Sequence, residues 1–313
     1  MSILVIGDLI LDDYRIVDVN RVSPEAPCLI GLACEQYTRL GGAANVAANI
    51  FKLDFSVVLV GQGEYDTFLP ILNMLGMPCL LFPGAHAIKM RFIDHKSHTQ
   101  LFRYDIEKTT SQDSREDLEG KCSYSTFIDD IDFKAHNVCV VVDYMKGMIR
   151  YNDVKRIKGC KVNIVSTKNP HPHRILPKAN RNRYQPINIL VVNEREYAAA
   201  KDIVGYQYAV RTEGDRGMSI FKYTQVSEQY YKPDLLTHIN GIKVDVFDVT
   251  GAGDTVTGVI AFCLDQMGFS EDNLIRACHC ANLEAAKVVT KTGTTVVDTD
   301  AESLLCIFKN LPL

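Results

Sequence analysis

The chain has 313 residues, 47 % of them apolar and 23 % charged, with a formal net charge of −4. Those values suit a soluble globular protein with a sizeable core. They offer no cationic footprint for nucleic acid or an anionic membrane. No apolar run approaches the roughly 20 residues that span a bilayer. Ten cysteines are scattered without a CxxC, several inside apolar runs. They read as reduced cytoplasmic thiols packed as small apolar side chains, not as disulfides or zinc ligands.

The chain opens on "MSILVIGDLILDDY". It has acids at 8, 12 and 13, no basic start and no small-residue cleavage site. It reads as a first buried strand over 3–8 and not as a signal peptide. Asp8, Asp12 and Asp13 follow that strand's carboxyl end, where open α/β sheets bind ligands. They suit sugar hydroxyls or a capped loop. Residues 14–40 alternate without a following helix, as do 88–106. Both read as antiparallel strands outside the main sheet. In "LGGAANVAANI" (40–50), Gly41 and Gly42 precede a helix over 43–53. Asn45, in its first turns, offers a donor and an acceptor to a polyol, or satisfies a turn.

Further short runs at 56–61, 138–143, 162–166, 188–193 and 208–214 have strand length. Several are nearly continuous Val, Ile and Leu, as expected of strands buried on both faces of a parallel sheet. Residues 166–187 hold four prolines and many basic residues, and read as a long surface loop. Apolar residues recur at helical spacing over 254–268 and 271–291. Alternating strand and helix implies an α/β fold with right-handed crossovers.

The most informative stretch is "VDVFDVTGAGDTVTGVIAF". It reads as a strand, a glycine turn and a helix beginning near Gly251. Free N–H groups of a helix start carry partial positive charge. Gly251, Ala252 and Gly253 are small enough to let a phosphate reach them. Asp254 then either caps the helix or accepts a hydroxyl proton beside a transferring phosphoryl group. The stretch is neither a Walker A loop nor GxGxxG.

"DVTGAGDT" resembles the C-terminal signature of the ribokinase-like (PfkB) carbohydrate kinases, and "GDLILD" and "GGAANVA" resemble their sugar-binding motifs. "NEREY" (193–197) resembles their N-x-x-E motif and "TEGDRG" (212–217) their nucleotide loop. Five motifs in order cover nearly the whole chain. "NRVSPEAP", "KMR", "QLFRYD", "DYMKG" and "GMSIF" further resemble the subfamily that phosphorylates D-glycero-D-manno-heptose 7-phosphate for ADP-heptose synthesis. In bacteria that kinase is often fused to a nucleotidyltransferase. This chain resembles the stand-alone form, so a separate nucleotidyltransferase is expected downstream.

The resemblance implies a three-layer α/β/α fold over 1–313 as one domain, with a mostly parallel sheet and a small β-strand lid from about 14–40 and 88–106. It implies ATP and Mg²⁺ as cofactors and, as in some relatives, K⁺. It makes Asp254 the catalytic base and the backbone of Gly251, Ala252 and Gly253 the anion hole. Asp12, Gly41, Gly42 and Asn45 match sugar-binding positions, with Asp8 close by. Lys89, Arg91, Arg103 and Lys146, with Asp143 beside the last, lie in the subfamily-like segments. The four cations are candidates for the 7-phosphate. Asn193 and Glu196 match the motif that organises Mg²⁺, usually through water. Thr212, Gly214 and Gly217 match the nucleotide loop, and Asn282 lies where the adenine is bordered. Asp248 and Thr250 match positions that hold a monovalent cation. Lids of this family often pair, so a homodimer is expected.

The chain departs from the pattern at Ser166-Thr167-Lys168, where heptose kinases usually show Asp-Pro-Lys, and at Val192, where the family has proline. A kinase for another sugar or sugar phosphate, and a catalytically weak sugar-phosphate or nucleotide sensor, remain alternatives.

Overall fold

The computed structural model describes residues 2–84, 86–108, 131–149, 160–172, 187–200, 203, 205–226, 231–291 and 293–312. In chain order the first half holds β1 (Ser2–Gly7), β2 (Leu9–Val22), β3 (Leu29–Gly42), α1 (Ala43–Leu53), β4 (Val57–Gln62), α2 (Tyr65–Leu75), β5 (Cys79–Phe82), β6 (His86–Asp94) and β7 (Gln100–Lys108). The second half holds β8 (His136–Asp143), β9 (Val162–Thr167), β10 (Ile187–Asn193), α3 (Glu194–Ala199), β11 (Tyr208–Thr212), β12 (Gly217–Gln225), β13 (Tyr231–Asn240), α4 (Ala252–Met267), α5 (Glu271–Val288) and α6 (Ala301–Asn310).

The main sheet has nine strands in the order β13-β12-β11-β10-β9-β8-β1-β4-β5. Strands β11 to β5 in that order run parallel, and β12 and β13 add an antiparallel edge. Strand residues point alternately to opposite faces. Ile3 and Val5 of β1 join a core with α1, α4 and α5, whereas Leu4 and Ile6 join one with Val141, Leu190, Met148 and Tyr206. Both faces of β1 are therefore buried, which is why its run is continuously apolar. Helix α4 is buried over 254–264 and packs against α1 and α5. A helix apolar on nearly all sides fits that place under the sheet. The described residues that cover the opposite face include Phe133, Cys160, Tyr223 and, from α3, Tyr197.

β1 has β4 on one side and β8 on the other. Chain connectivity reverses there, so the carboxyl ends of β1 and β8 open the crevice in which such sheets bind ligands. Asp8 and Asp143 sit at those ends.

The second sheet has the order β3-β2-β6-β7. It is wider than the strands expected over 14–40 and 88–106, because β2 begins one residue after β1 and β3 runs straight into α1. Its register sets Asp12 opposite Lys89 and Tyr14 opposite Arg91. Helix α1 spans the 43–53 that its periodicity predicts. α4 begins two residues earlier than the expected 254–268 and α5 ends at Val288, short of 291. Of the loop expected over 166–187, residues 173–186 lie outside the described residues. Among the described residues, no helix is long and apolar enough to cross a membrane.

Candidate active site

The site is built outward from the start of α4. Gly251 caps it at φ 85°, a left-handed conformation that favours glycine. A Cβ on Gly251 would stand 2.9 Å from Asn45 Nδ2. Gly253 faces open space, with nothing within 4 Å of the Cβ position. Ala252 N–H donates to the Val249 carbonyl at 3.4 Å, and with no side chain on Gly253 the start of the helix is left open to an anion. Asp254 is buried at the third helical position. Its Oδ2 accepts from Asn45 Nδ2 at 2.9 Å and its Oδ1 from the Tyr144 hydroxyl at 2.7 Å. It therefore holds side chains of α1 and the β8 loop together instead of capping its own helix. Burial pushes its pKa up to about 6, against the two hydrogen bonds; Asp12 adds to the rise and Lys168 opposes it.

Two cavities meet at this carboxylate. One, of about 200 Å³, is lined by the carboxyl ends of β8 to β11, including Asp143, Lys168, Asn193, Glu196 and Thr212. The other, of about 170 Å³, lies under the small sheet and is lined by Asp12, Gly41, Gly42, Lys89, Thr250 and Thr294. Tyr144, Lys168, Gly251 and Asp254 line both. A donor in one chamber and an acceptor in the other would face each other across Asp254.

Residues 155–301 match the pattern of the pfkB family carbohydrate kinases. Bifunctional protein HldE of Campylobacter jejuni is 32 % identical, with the match covering 96 % of this chain and 63 % of that protein. HldE of Haemophilus influenzae is 31 % identical over 95 % of this chain and 62 % of that protein. The chain is thus similar to the pfkB carbohydrate kinases over its second half and to the HldE proteins over nearly its whole length. The chain spans somewhat under two thirds of the length of these curated relatives. Its fold matches ribokinase of Thermotoga maritima, with TM-score 0.64 at 20 % identity over 99 % of this chain and 100 % of that one. It also matches phosphofructokinase-2 of Escherichia coli, with TM-score 0.67 at 14 % identity over 99 % and 98 %. The architecture is ribokinase-like.

The structure brings together many of the residues the sequence singles out. Asp12, Gly41, Gly42 and Lys89 line the lid-side chamber. A Cβ on Gly41 would stand 2.7 Å from Asp12 Oδ2, so only glycine leaves that carboxylate its place. Asn45 reaches the site through Asp254. On the other side, Asn193 and Glu196 form a capping box at α3: Glu196 N–H donates to Asn193 Oδ1 and Asn193 N–H to Glu196 Oε2, both at 2.9 Å. That fixes both side chains at the chamber wall. Thr212 lines the same wall, and Gly214 and Gly217 flank the turn after it with φ 62° and 99°.

Other expected residues are engaged elsewhere. Asp8 is fully buried and accepts from the backbone N–H of Tyr144, Lys146 and Met148 at 2.8–3.0 Å. It lines neither chamber and anchors the 144–148 loop. Arg91 is buried and donates to Asp12, Arg103 pairs with Asp105 at 2.9 Å, and Lys146 pairs with Glu107. Of the four expected cations only Lys89 lines a chamber. Asp143 accepts from Met145 N–H at 2.9 Å and Thr167 Oγ1 at 3.0 Å. Burial and then Asp8 raise its pKa to about 6. Thr167, one of the departures from the family pattern, thus supports a strand-end carboxylate. Asn282 donates to the Asn240 carbonyl at 2.9 Å, joining α5 to the end of β13, and lines neither chamber.

Two residues were not among the sequence candidates. Lys168 lines both chambers, with Nζ 4.2 Å from the centre of the Tyr144 ring. Lys89 Nζ lies 6.0 Å from the same ring. Partial enclosure lowers the pKa of each; Lys168 adds to this at Lys89, and Lys146 and Arg103 add to it at Lys168, while Asp12 opposes it at Lys89, as do Glu196 and Asp254 at Lys168. Among the described residues neither lysine has an ion pair with a carboxylate.

No group of three or more His, Cys, Asp or Glu among the described residues could hold a metal ion. A magnesium ion carried on phosphates needs only one or two protein groups and keeps its waters. Glu196 and Asn193 at the donor-side wall fit that role. Asp248 Oδ1 accepts from Thr250 N–H and Oγ1 at 2.9 and 2.7 Å, and Oδ2 from Gly293 N–H at 3.0 Å. Those protein donors engage both carboxylate oxygens of the pair expected to hold K⁺.

Proposed function

We propose that this chain is a kinase that transfers the γ-phosphoryl group of ATP to the anomeric hydroxyl of D-glycero-D-manno-heptose 7-phosphate. The product would be the 1,7-bisphosphate, passed to a nucleotidyltransferase step for ADP-heptose synthesis. The observation that carries this reading is the pair Lys89 and Lys168. Two ammonium groups that have no carboxylate ion-pair partner among the described residues line the lid-side chamber beside Asp12. A neutral sugar gives no reason to hold such cations half-enclosed; a sugar phosphate does. The resemblance to heptose-7-phosphate kinases and the HldE relatives support the choice of sugar.

In this reading ATP lies in the chamber bounded by Asn193, Glu196 and Thr212. Asn193 and Glu196 would hold a Mg²⁺ carried on its phosphates, which would offset their charge. Asp254 accepts the proton of the attacking hydroxyl as its O–H bond breaks. The new O–P bond forms in line while the bond to the ADP oxygen breaks. The N–H groups at Gly251 to Gly253 hold the equatorial oxygens. The small sheet covers the acceptor and excludes water.

A pfkB-family kinase for a different sugar phosphate is the second reading. It is favoured by the pairing of Arg91, Arg103 and Lys146 with carboxylates, which leaves fewer cations for a distant 7-phosphate. The test is ADP release with the heptose 7-phosphate beside sedoheptulose 7-phosphate, fructose 6-phosphate and ribose. Turnover of the heptose phosphate with the highest kcat/KM is expected. Preference for another sugar phosphate would replace the substrate and keep the mechanism. Turnover of none, with ATP still bound, would favour a sensor.

A further inference from the structure

Tyr144 connects almost every part of the site, yet it was not among the candidate residues, although the subfamily-like segment "DYMKG" contains it. Its backbone N–H donates to Asp8, at the end of β1, at 2.8 Å. Its hydroxyl donates to Asp254 at 2.7 Å, across 110 positions of sequence. Its ring lies under Lys168 and within cation–π reach of Lys89. It also forms part of both chamber walls. We infer that Tyr144 is a positioning residue for phosphoryl transfer: it fixes the Asp254 carboxylate in its ionised form between the two chambers and, through its ring, holds Lys168 and Lys89 off that carboxylate.

The reasoning is geometric. A carboxylate at a helix start with two partly enclosed lysines nearby would ordinarily pair with one of them. An ion pair would take the lysine away from a phosphate and depress the basicity of Asp254. The Tyr144 ring instead offers Lys168 a neutral, electron-rich face, and its hydroxyl satisfies one carboxylate oxygen without adding charge. The ring can do this only from a fixed position. Asp8 supplies that by gathering three N–H groups of the 144–148 loop. Asp8 thus acts through Tyr144, which explains a fully buried carboxylate at a strand end that touches neither chamber.

The groups facing Asp254 are Asn45 of α1, Tyr144 of the loop after β8, Lys168 after β9 and Asp12 of β2. Tyr144→Phe keeps the ring and removes only the hydrogen bond to the charged form. That variant is expected to raise the Asp254 pKa, since a donor that favours the carboxylate is gone.

The role rests on the proposed phosphoryl transfer, so the test has one arm that needs no substrate. Carboxyl-carbon NMR titration of native protein and Tyr144→Phe follows Asp254, with Asp254→Asn used to assign its signal apart from that of Asp143. A midpoint moved upward in Tyr144→Phe, with native circular dichroism retained, is expected; coincident midpoints would overturn the inference whatever the enzyme's substrate. In the activity arm, kcat should fall about tenfold, with the acid limb of kcat/KM shifted the same way and both KM values little changed. A fall in kcat with an unmoved acid limb would assign Tyr144 to folding alone. Absence of turnover in native protein, with the NMR shift present, would remove the proposed function and leave the positioning contact standing.

Discussion

Asp254 is held at a cost to the fold. Its pKa of about 6 lies above the ordinary 3.8 because burial disfavours the charge. Between those values the native state binds more protons than the unfolded chain, so this residue's contribution to stability falls as pH rises through the window. Asp254→Asn should therefore melt higher than native protein at pH 7 to 8. The gain should shrink as pH drops from about 6 toward 4. Equal melting curves at pH 8, read by differential scanning calorimetry, would show that the carboxylate is solvated. The proposed role ties the same titration to activity: a base at Asp254 would work ionised, so kcat/KM should fall on the acid side with a midpoint near 6. At the acceptor, Lys89→Met should raise KM for the phosphorylated sugar about tenfold or more and leave KM for ATP unchanged. An unchanged acceptor KM would remove Lys89 from phosphate recognition.

At the scale of elements, the capping box of α3 joins structure to nucleotide. Asn193→Ala removes the acceptor for the Glu196 N–H and should cost about 1 kcal/mol of stability. It should also raise KM for ATP without changing that for the sugar, since the freed Glu196 carboxylate loses its fixed place. A shift in the sugar KM instead would mean that the chambers are not assigned as argued. Elements with strong local patterns were legible in the sequence. α1 reads from its helical spacing, β1 and β8 from runs buried on both faces, and the start of α4 from Gly251 and Asp254. The hairpin of β12 and β13 was not read, because an antiparallel edge half open to solvent carries no continuous apolar run. α2 was hidden by Pro70 inside it. The charged residues were the least legible. Arg91 and Lys146 meet carboxylates 79 and 39 positions away, and nothing local says whether a cation will be paired. Tyr144 was missed for the same reason: its meaning lies in Asp8 and Asp254, on two other elements.

For the whole molecule, the small sheet has a second consequence. Its strands carry Val22, Leu29, Leu32, Phe102 and Tyr104 more than half exposed. We propose that these residues pair two copies of the chain through their lids, which would close each acceptor chamber more firmly. Light scattering should give twice the chain mass, and Leu32→Glu combined with Phe102→Glu should give the monomer with a raised sugar KM. A native monomer at micromolar concentration would exclude the pairing.

The central claim is that Asp254 takes the hydroxyl proton where the two chambers meet. The most direct measurement compares native protein and Asp254→Asn at saturating ATP and acceptor, with the binding of each ligand measured by calorimetry on the same samples. The expected result is a kcat lower by about 10²- to 10⁴-fold with both ligands still bound at near-native affinity. A kcat within a few-fold of native would contradict it, and the base would have to be sought elsewhere in the site.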